Sequence, residues 1–233
     1  MGRITLFLLS AVLHLVVGVP LVPALTAWPW LAVCVAAWLA GSAVLMPLAL
    51  IGRRGGSLRR RTLLAWTGMV AMGAFSSLFV FGLLRDLLLL ADTALVAVWP
   101  EGAASTGMPE ASALAVLAAT AAVTGVGVWN ARRTAAVVRV DVPIRGLAPA
   151  LHGFTIAQIS DIHVGATIRS GYVQAIVDRV NSLDADMVAV TGDLVDGSVA
   201  ELSDHVAPLQ GLVSRHGTFF VTGNHEFRGA LKS

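Results

Sequence analysis

Hydrophobic residues follow two different patterns along the chain, and the pattern changes near residue 134. Before that point, four long apolar runs are separated by short polar stretches, at about residues 4–25, 30–51, 62–84 and 111–129. With a helical rise of 1.5 Å per residue, a run of about 20 residues crosses the hydrocarbon core of a bilayer, which is about 30 Å thick. The pattern therefore predicts a four-helix transmembrane domain over residues 1–134.

The first run has a second interpretation, a cleaved secretory signal peptide, because Ala24 and Ala27 are small residues near its end. The run is long for a signal sequence, and Arg3 is the one basic residue that precedes it. Both features favour a retained helix. His14 lies inside this run. It is either a proton or ligand group within the bilayer or, as we expect, a neutral side chain packed between helices.

Composition agrees with a membrane protein whose two halves differ in charge. The 233 residues are 56% hydrophobic and 13% charged, unlike an average soluble protein. Residues 1–140 carry ten arginines against four acids, whereas residues 141–233 carry six bases against ten acids. The acidic half is expected to bind cations rather than nucleic acid. The single cysteine, Cys34, excludes an intrachain disulfide.

The basic residues predict the orientation in the membrane. Five arginines lie between Arg53 and Arg61, and two more, Arg132 and Arg133, follow the fourth run. A basic cluster can bind nucleic acid or anionic lipid, but between two apolar runs it is typical of a cytoplasmic loop. We therefore expect a multi-pass protein of the cell (inner) membrane, with both ends and the second half of the chain in the cytoplasm.

Arg85 and Asp86 follow the third run. Adjacent opposite charges could belong to a transport path, which would make the chain a small transporter with a regulatory domain. We expect instead an interfacial pair in which Arg85 extends toward the membrane surface. Residues 92–110, which contain three acids and no base, are predicted to form a loop.

Beyond residue 134, short strand-like runs alternate with helical patterns. Residues 136–144 alternate apolar and polar side chains and are predicted to form a strand. Residues 170–183 carry a helical apolar stripe, and Ser198 with Glu201 forms a capping box for a second helix. Strands alternating with helices predict an α/β domain with a parallel sheet over residues 135–233.

Three apolar runs in this half end in side chains that can bind metal. In chain order these side chains are Asp161 and His163, then Asp193, then Asn224 and His225. Because the carboxyl ends of parallel strands meet at one edge of a sheet, the five side chains should converge there. Mixed nitrogen and oxygen ligands suit manganese, iron or zinc better than magnesium.

The ordered motifs Asp-x-His, Gly-Asp and Gly-Asn-His-Glu resemble the calcineurin-like metallophosphoesterase superfamily. The resemblance implies the N-terminal half of an αββα sandwich and two divalent cations that clamp a phosphate ester. It implies that Asp161 and His163 bind the first metal, that Asp193 bridges both metals and that Asn224 binds the second. His225 is implied to approach the phosphate oxygens or the leaving group.

We therefore expect a membrane-anchored phosphoesterase that hydrolyses a phosphomonoester or phosphodiester, with a membrane-proximal or lipid-linked substrate. The family's pattern continues to Gly-His and Gly-His-x-His motifs, and neither follows Glu226 here. The second metal then has only Asp193 and Asn224, so weak binding of at most one metal and near-background activity are expected of the 233 residues. The alternative function is a truncated, catalytically incompetent membrane protein that acts as a scaffold or weak metal binder.

Overall fold

A computed structural model of the chain describes residues 2–51, 58–99, 109–165, 167–197 and 199–226. The chain divides into two compact units, Met1–Arg132 and Arg133–Ser233. The described part of the first unit contains four long helices: α1 Arg3–Leu21, α2 Pro29–Ile51, α3 Leu58–Val98 and α4 Pro109–Arg132. A short 3-10 turn, Pro23–Leu25, lies between the first two helices.

All four helices are long and apolar enough to cross a membrane. Their shared core contains Leu21, Leu39, Phe75, Leu78 and Ala113. The exposed surface of the unit is also apolar, as expected where side chains face lipid. The prediction of a multi-pass α-helical membrane unit is confirmed, and the chain is a membrane protein.

Helix α3 is longer than the third predicted run. It spans 41 residues and ends at Val98, so the beginning of the predicted loop at 92–110 is helical. The physical reason is that residues 86–98 contain neither glycine nor proline, and their polar side chains do not stop a helix. Residues 109–110 of the predicted loop begin α4, whereas residues 100–108 and the first part of the basic cluster that begins at Arg53 lie outside the described residues.

The two polar groups noted within the membrane half are both packed against neighbouring helices. The ring of His14 stacks on Phe75, and its Nε2 lies 2.9 Å from Ser42 Oγ, so the packed interpretation is confirmed. Arg85 does not extend outward, and the expectation that it does is wrong. Its side chain is 5% exposed, because hydrogen bonds to Ser112, Asp86 and the carbonyl oxygen of Pro109 compensate its burial.

The second unit contains a three-stranded parallel sheet in the order β1-β2-β3. Its elements are β1 Ile156–Ile159, α5 Ser170–Asn181, β2 Met187–Val190, α6 Val199–Val206 and β3 Thr218–Phe220, with 3-10 turns at Pro149–Leu151 and Ala207–Gly211. The buried face of α5 presents Val173, Ile176 and Val180 to the same core as Val188 of β2. The predicted α/β class is confirmed.

Two local expectations in this unit have different outcomes. Residues 136–144 form no strand among the described residues, and Val138 and Val140 are 80% and 75% exposed. An alternating pattern becomes a strand only when a neighbouring strand pairs with it, and the described sheet offers none at this segment. Ser198 and the side chain of Glu201 lie outside the described residues, so the capping box stays a prediction.

Candidate metal centre

The loops that leave β1 and β2 run side by side beyond the carboxyl edge of the sheet. Val164 and Val195 form a parallel bridge, and the His163 N–H donates to the Asp193 carbonyl oxygen at 3.0 Å. The N–H of Asp161 donates to the carbonyl oxygen of Gly192 at 3.2 Å. The two strands thus deliver their acidic and imidazole side chains to one place, as the strand-end argument predicts.

Three of the predicted ligands have an unusual backbone conformation. Asp161, His163 and Asp193 have φ of 56°, 52° and 52°, in the left-handed region that non-glycine residues seldom adopt. Such residues cost about 1–3 kcal/mol each and cluster at functional sites. Ile162 and Val164, the residues next to His163, are buried at 4% and 0% exposure, and this packing holds the loop in place.

Two glycines let the loops after β2 and β3 touch. Gly192 has φ of 90°, and a Cβ on it would lie 2.3 Å from the backbone nitrogen of Gly223. A Cβ on Gly223 would lie 2.2 Å from Asp193 Oδ1. Only a residue without a side chain fits at either position. The glycines before Asp193 and Asn224 therefore allow the two loop backbones and the carboxylate of Asp193 to lie in contact.

Two groups of side chains at this edge, which share His163, have ligand atoms close enough together to hold a cation. Asp161, His163 and Asp193 offer ligand atoms that lie within 4.8 Å of one another, and so do His163, Asp196 and His225. In the first group, Nε2 of His163 lies 3.9 Å from Oδ1 of Asp161. Carboxylate and imidazole donors at this spacing fit manganese, iron or zinc.

Asp196 was not predicted from the sequence, although it follows Asp193 by three residues. Its Oδ1 lies 3.0 Å from His163 Nδ1 and 2.6 Å from His225 Nδ1. Because an ionised carboxylate only accepts, each Nδ1 must carry the hydrogen and donate it. Both rings then keep Nε2 free for a cation or a phosphate oxygen. The hydrogen bond to Asp196 is the largest cause that raises the pKa of His163.

Glu226, the last residue of the Gly-Asn-His-Glu motif, ties the loops after β2 and β3 together. Its carboxylate accepts from the N–H groups of Asp193 at 3.0 Å, Leu194 at 2.5 Å and Gly223 at 2.8 Å. Burial alone, the largest effect, raises the pKa of Glu226, but the hydrogen bonds, led by that of Gly223, together outweigh it and lower the pKa. This role of Glu226 was also not predicted from the sequence.

His225 and Asn224 lie on the third loop, in a helical turn over residues 224–226. The N–H of His225 donates to Asp193 Oδ1 at 3.0 Å, and the ring of His225 meets that of His163 edge-on, with centroids 4.7 Å apart. His225 therefore lies against Asp193, Asp196 and His163. The assignment of Asn224 to a second metal stays a prediction.

Comparison with known proteins agrees with this geometry. Residues 154–233 match the family of calcineurin-like phosphoesterases. The chain is 43% identical over 115 residues to a transmembrane protein with metallophosphoesterase domain from Bos taurus, covering 49% of this chain and 26% of that protein. A protein of the same name from Danio rerio is 37% identical over 150 residues, covering 64% of this chain and 33% of that protein.

A more distant relative is UDP-2,3-diacylglucosamine pyrophosphatase LpxG of Chlamydia muridarum, 35% identical over 78 residues, which are 33% of this chain and 24% of that protein. No solved structure matches the chain. The chain spans between about a quarter and a third of the length of these relatives. Its α/β unit contains part of a calcineurin-like phosphoesterase domain, as the motifs predicted, and the proteins it resembles include transmembrane proteins with a metallophosphoesterase domain.

Proposed function

We propose that the chain is a membrane-anchored hydrolase that cleaves a phosphomonoester or phosphodiester with two divalent cations, manganese, iron or zinc. The observation that carries the proposal is the convergence of Asp161, His163 and Asp193 on one point beyond the sheet edge. When bound, the cations would supply a hydroxide near neutral pH and neutralise charge on the phosphate.

The proposed roles are those that the resemblance of the ordered motifs implies, and the position of Asp193 supports one of them. Asp161 and His163 would hold the first cation, Asp193 would lie between the two, and Asn224 would hold the second. Asp193 suits the bridging role because it lies on the middle strand's loop, and its Oδ1 already accepts from His225 N–H of the neighbouring loop at 3.0 Å.

His225 is proposed to act on the phosphate or the leaving group. Its Nδ1 lies 2.6 Å from Asp196, so the carboxylate holds the ring and leaves Nε2 facing away from Asp196. A protonated Nε2 can donate to a phosphate oxygen or to the departing oxygen, and Asp196 would stabilise the charge of the ring.

The substrate is proposed to be lipid-linked or membrane-proximal, and not a nucleic acid. Two observations support this: the same chain carries four apolar helices, and LpxG is named for a diacylglucosamine. The phosphoesterase unit is proposed to lie on the cytoplasmic side.

Two substitutions test the proposed roles in the family's complete form of the site, with the Gly-His and Gly-His-x-His motifs present. There, Asp193→Asn should lose bound manganese and hydrolysis of an aryl phosphodiester together, because it removes a shared ligand. His225→Ala should keep manganese and lose mainly turnover. Metal content is measured by atomic emission on this purified complete form and turnover by release of nitrophenolate. Asp204→Asn, at an exposed position on α6, is the matched control.

Equal loss of manganese in the Asp193 and His225 variants would contradict the role given to His225. Manganese bound at Asp193 without hydrolysis of any phosphate ester would favour the alternative function, a scaffold or weak metal binder.

A further inference from the structure

Arginines are concentrated at one end of the helix bundle. The first turn of α3 carries three arginines, residues 59–61, and the last turn of α4 carries Arg132. Arg132 contacts Trp66 near the start of α3. Arg85, farther along α3, donates to the carbonyl oxygen of Pro109 at the start of α4. The two helices are therefore antiparallel neighbours, and these basic residues lie at the same end.

The sequence of the membrane unit places its acids at the other end of these two helices. Residues 1–85 and 111–140 contain neither aspartate nor glutamate, so every acid of the unit lies within residues 86–110. That segment comprises the end of α3, the start of α4 and the connection between them. An anion at the basic end therefore meets arginine charge and no nearby carboxylate of this unit.

Trp66 holds one of these guanidiniums in place. The guanidinium carbon of Arg132 lies 5.1 Å from the centre of the Trp66 ring. A cation over an aromatic ring interacts through its charge, which leaves its N–H hydrogens available as donors. Because the ring already restricts the side chain, less rotational freedom is lost when Arg132 binds a phosphate. Planar guanidinium groups match the oxygens of a phosphate.

Arg59 lies on the same side of α3 as Trp66. Seven residues separate the two positions, which is close to two complete helical turns and about 10 Å along the axis. The side chain of Arg59 is exposed and makes no hydrogen bond or ion pair in the described part of the chain. A phosphate between these two levels is therefore within reach of the long side chains of both Arg59 and Arg132.

The length of α3 gives the depth of this pair in a membrane. The helical rise from Trp66 to Arg85 is about 28 Å, close to the thickness of the hydrocarbon core. Trp66 then lies at one boundary of the core, where tryptophan is enriched. Arg59, about 10 Å farther out, lies among the headgroups.

Apolar side chains continue from this pair toward the membrane interior. Leu63 and Val70, one turn to either side of Trp66 on the same side of α3, are 63% and 37% exposed. Trp129, one turn before Arg132 on α4, is 70% exposed. Acyl chains cover such a surface in a bilayer. The pair therefore combines a phosphate-binding end with an apolar path, which fits a lipid better than a nucleic acid.

We propose that the basic end of α3 and α4 binds an anionic glycerophospholipid, such as phosphatidylglycerol. Its phosphate lies between Arg59 and Arg132 and accepts hydrogen bonds from both, and one acyl chain lies along Leu63 and Val70. A zwitterionic lipid binds less tightly, because its ammonium is repelled by the arginines. The site belongs to the membrane unit and does not depend on the proposed phosphoesterase function.

The test is a lipid titration of the purified chain in detergent, read by native mass spectrometry. Dioleoyl phosphatidylglycerol should bind about tenfold or more tightly than dioleoyl phosphatidylethanolamine, because two arginines act on one net charge. Arg59→Gln and Arg132→Gln should each weaken binding of phosphatidylglycerol about fivefold. Arg179→Gln, at an exposed position on α5, removes the same charge and should bind like the unsubstituted chain.

Trp66→Leu tests the positioning of Arg132 without any change of charge. It should weaken binding of phosphatidylglycerol, and it should add little to the loss when combined with Arg132→Gln, because the ring acts through that arginine. Trp30→Leu, at the start of α2 and thus at the opposite end of the bundle, is the matched control. Helical circular dichroism should be unchanged in every variant.

Three results would overturn the proposal. The first is equal binding of the two lipids by the unsubstituted chain. The second is unchanged binding of phosphatidylglycerol by either Arg59→Gln or Arg132→Gln, or an equal loss in Arg179→Gln. The third is displacement of the lipid by excess glycerol 3-phosphate, which would show that a soluble phosphate, and not a lipid, is the ligand.

Discussion

At the scale of single residues, Asp196 controls two imidazole rings at once. One carboxylate oxygen accepts from Nδ1 of both His163 and His225, and these bonds connect loops from three different strands. Outer carboxylates that orient ligating histidines affect metal affinity by roughly 10–100-fold. We therefore expect Asp196→Asn to weaken manganese binding by a factor in that range. The amide oxygen of asparagine is neutral, so it accepts from the two rings more weakly than the carboxylate does.

Calorimetric titration of the purified chain with manganese measures this effect. Nitrogen NMR of the histidine rings supplies a second readout. In Asp196→Asn, neither ring should any longer be fixed in the tautomer that carries its hydrogen on Nδ1. Asp178→Asn, an exposed acid on α5 that accepts only from Gln174 among its described contacts, is the control. An unchanged affinity for Asp196→Asn would mean that the rings are held by other contacts.

The predicted ligands could be found from the sequence because each directly follows an apolar run. Asp161, His163 and Asp193 needed only the rule that sites form at the carboxyl ends of parallel strands. Asp196 and Glu226 could not be assigned roles in this way, because their partners on the other loops lie 29 to 33 residues away along the chain. Their functions depend on how closely the loops approach, which only the glycine contacts in the structure reveal.

At the scale of elements, Asp186 fastens the beginnings of the three strands. Its Oδ2 accepts from the N–H of Thr155 at 2.9 Å and from the Thr155 hydroxyl at 3.0 Å, before β1. Its Oδ1 lies 3.1 Å from Arg215 Nη1, before β3. The hydrogen bond from the Thr155 N–H is the largest cause that lowers the pKa of Asp186 below its ordinary value of 3.8.

This lowered pKa fixes the sign of a pH dependence. The carboxylate of Asp186 stabilises the sheet fully above pH 3.8, and the contribution is lost as the pH falls through the lower pKa of the folded state. Asp186→Asn should therefore speed hydrogen exchange in β1 and β2 at neutral pH, and the difference from the unsubstituted chain should shrink only below pH 3.8. Exchange followed by mass spectrometry on peptides from both strands checks this. A difference that disappears already at pH 5 would contradict it.

Two elements show where hydrophobic patterning falls short. Apolar runs mark how far a helix lies in lipid but not where it ends, so α3 continues past Arg85 to Val98. Residues 136–144 show the reverse case: their alternation is that of a strand, yet a strand needs a partner that a local pattern does not supply. The apolar stripe of α5, by contrast, packs on the core of the α/β unit, and this helix was predicted correctly.

At the scale of the whole molecule, the two periodicities were sufficient to predict a helical membrane unit followed by an α/β unit. The identity of the substrate could not be predicted in the same way, since the three motifs report the chemistry at phosphorus and not the shape of the group attached to it. Orientation in the membrane depends on neither periodicity. It depends on where the arginines lie.

The arginines predict that the phosphoesterase unit is cytoplasmic. Arg59–Arg61 lie in the first turn of α3, and Arg132 at the end of α4 contacts Trp66, so both basic segments lie at the same end of the bundle. Clusters of Lys and Arg next to a membrane span remain on the cytoplasmic side. Reporter fusions after Arg61, after Glu101 and at Ser233 should therefore read inside, outside and inside, with alkaline phosphatase and green fluorescent protein as opposite reporters. An outside signal at Ser233 would reverse the topology and place the candidate metal centre beyond the membrane.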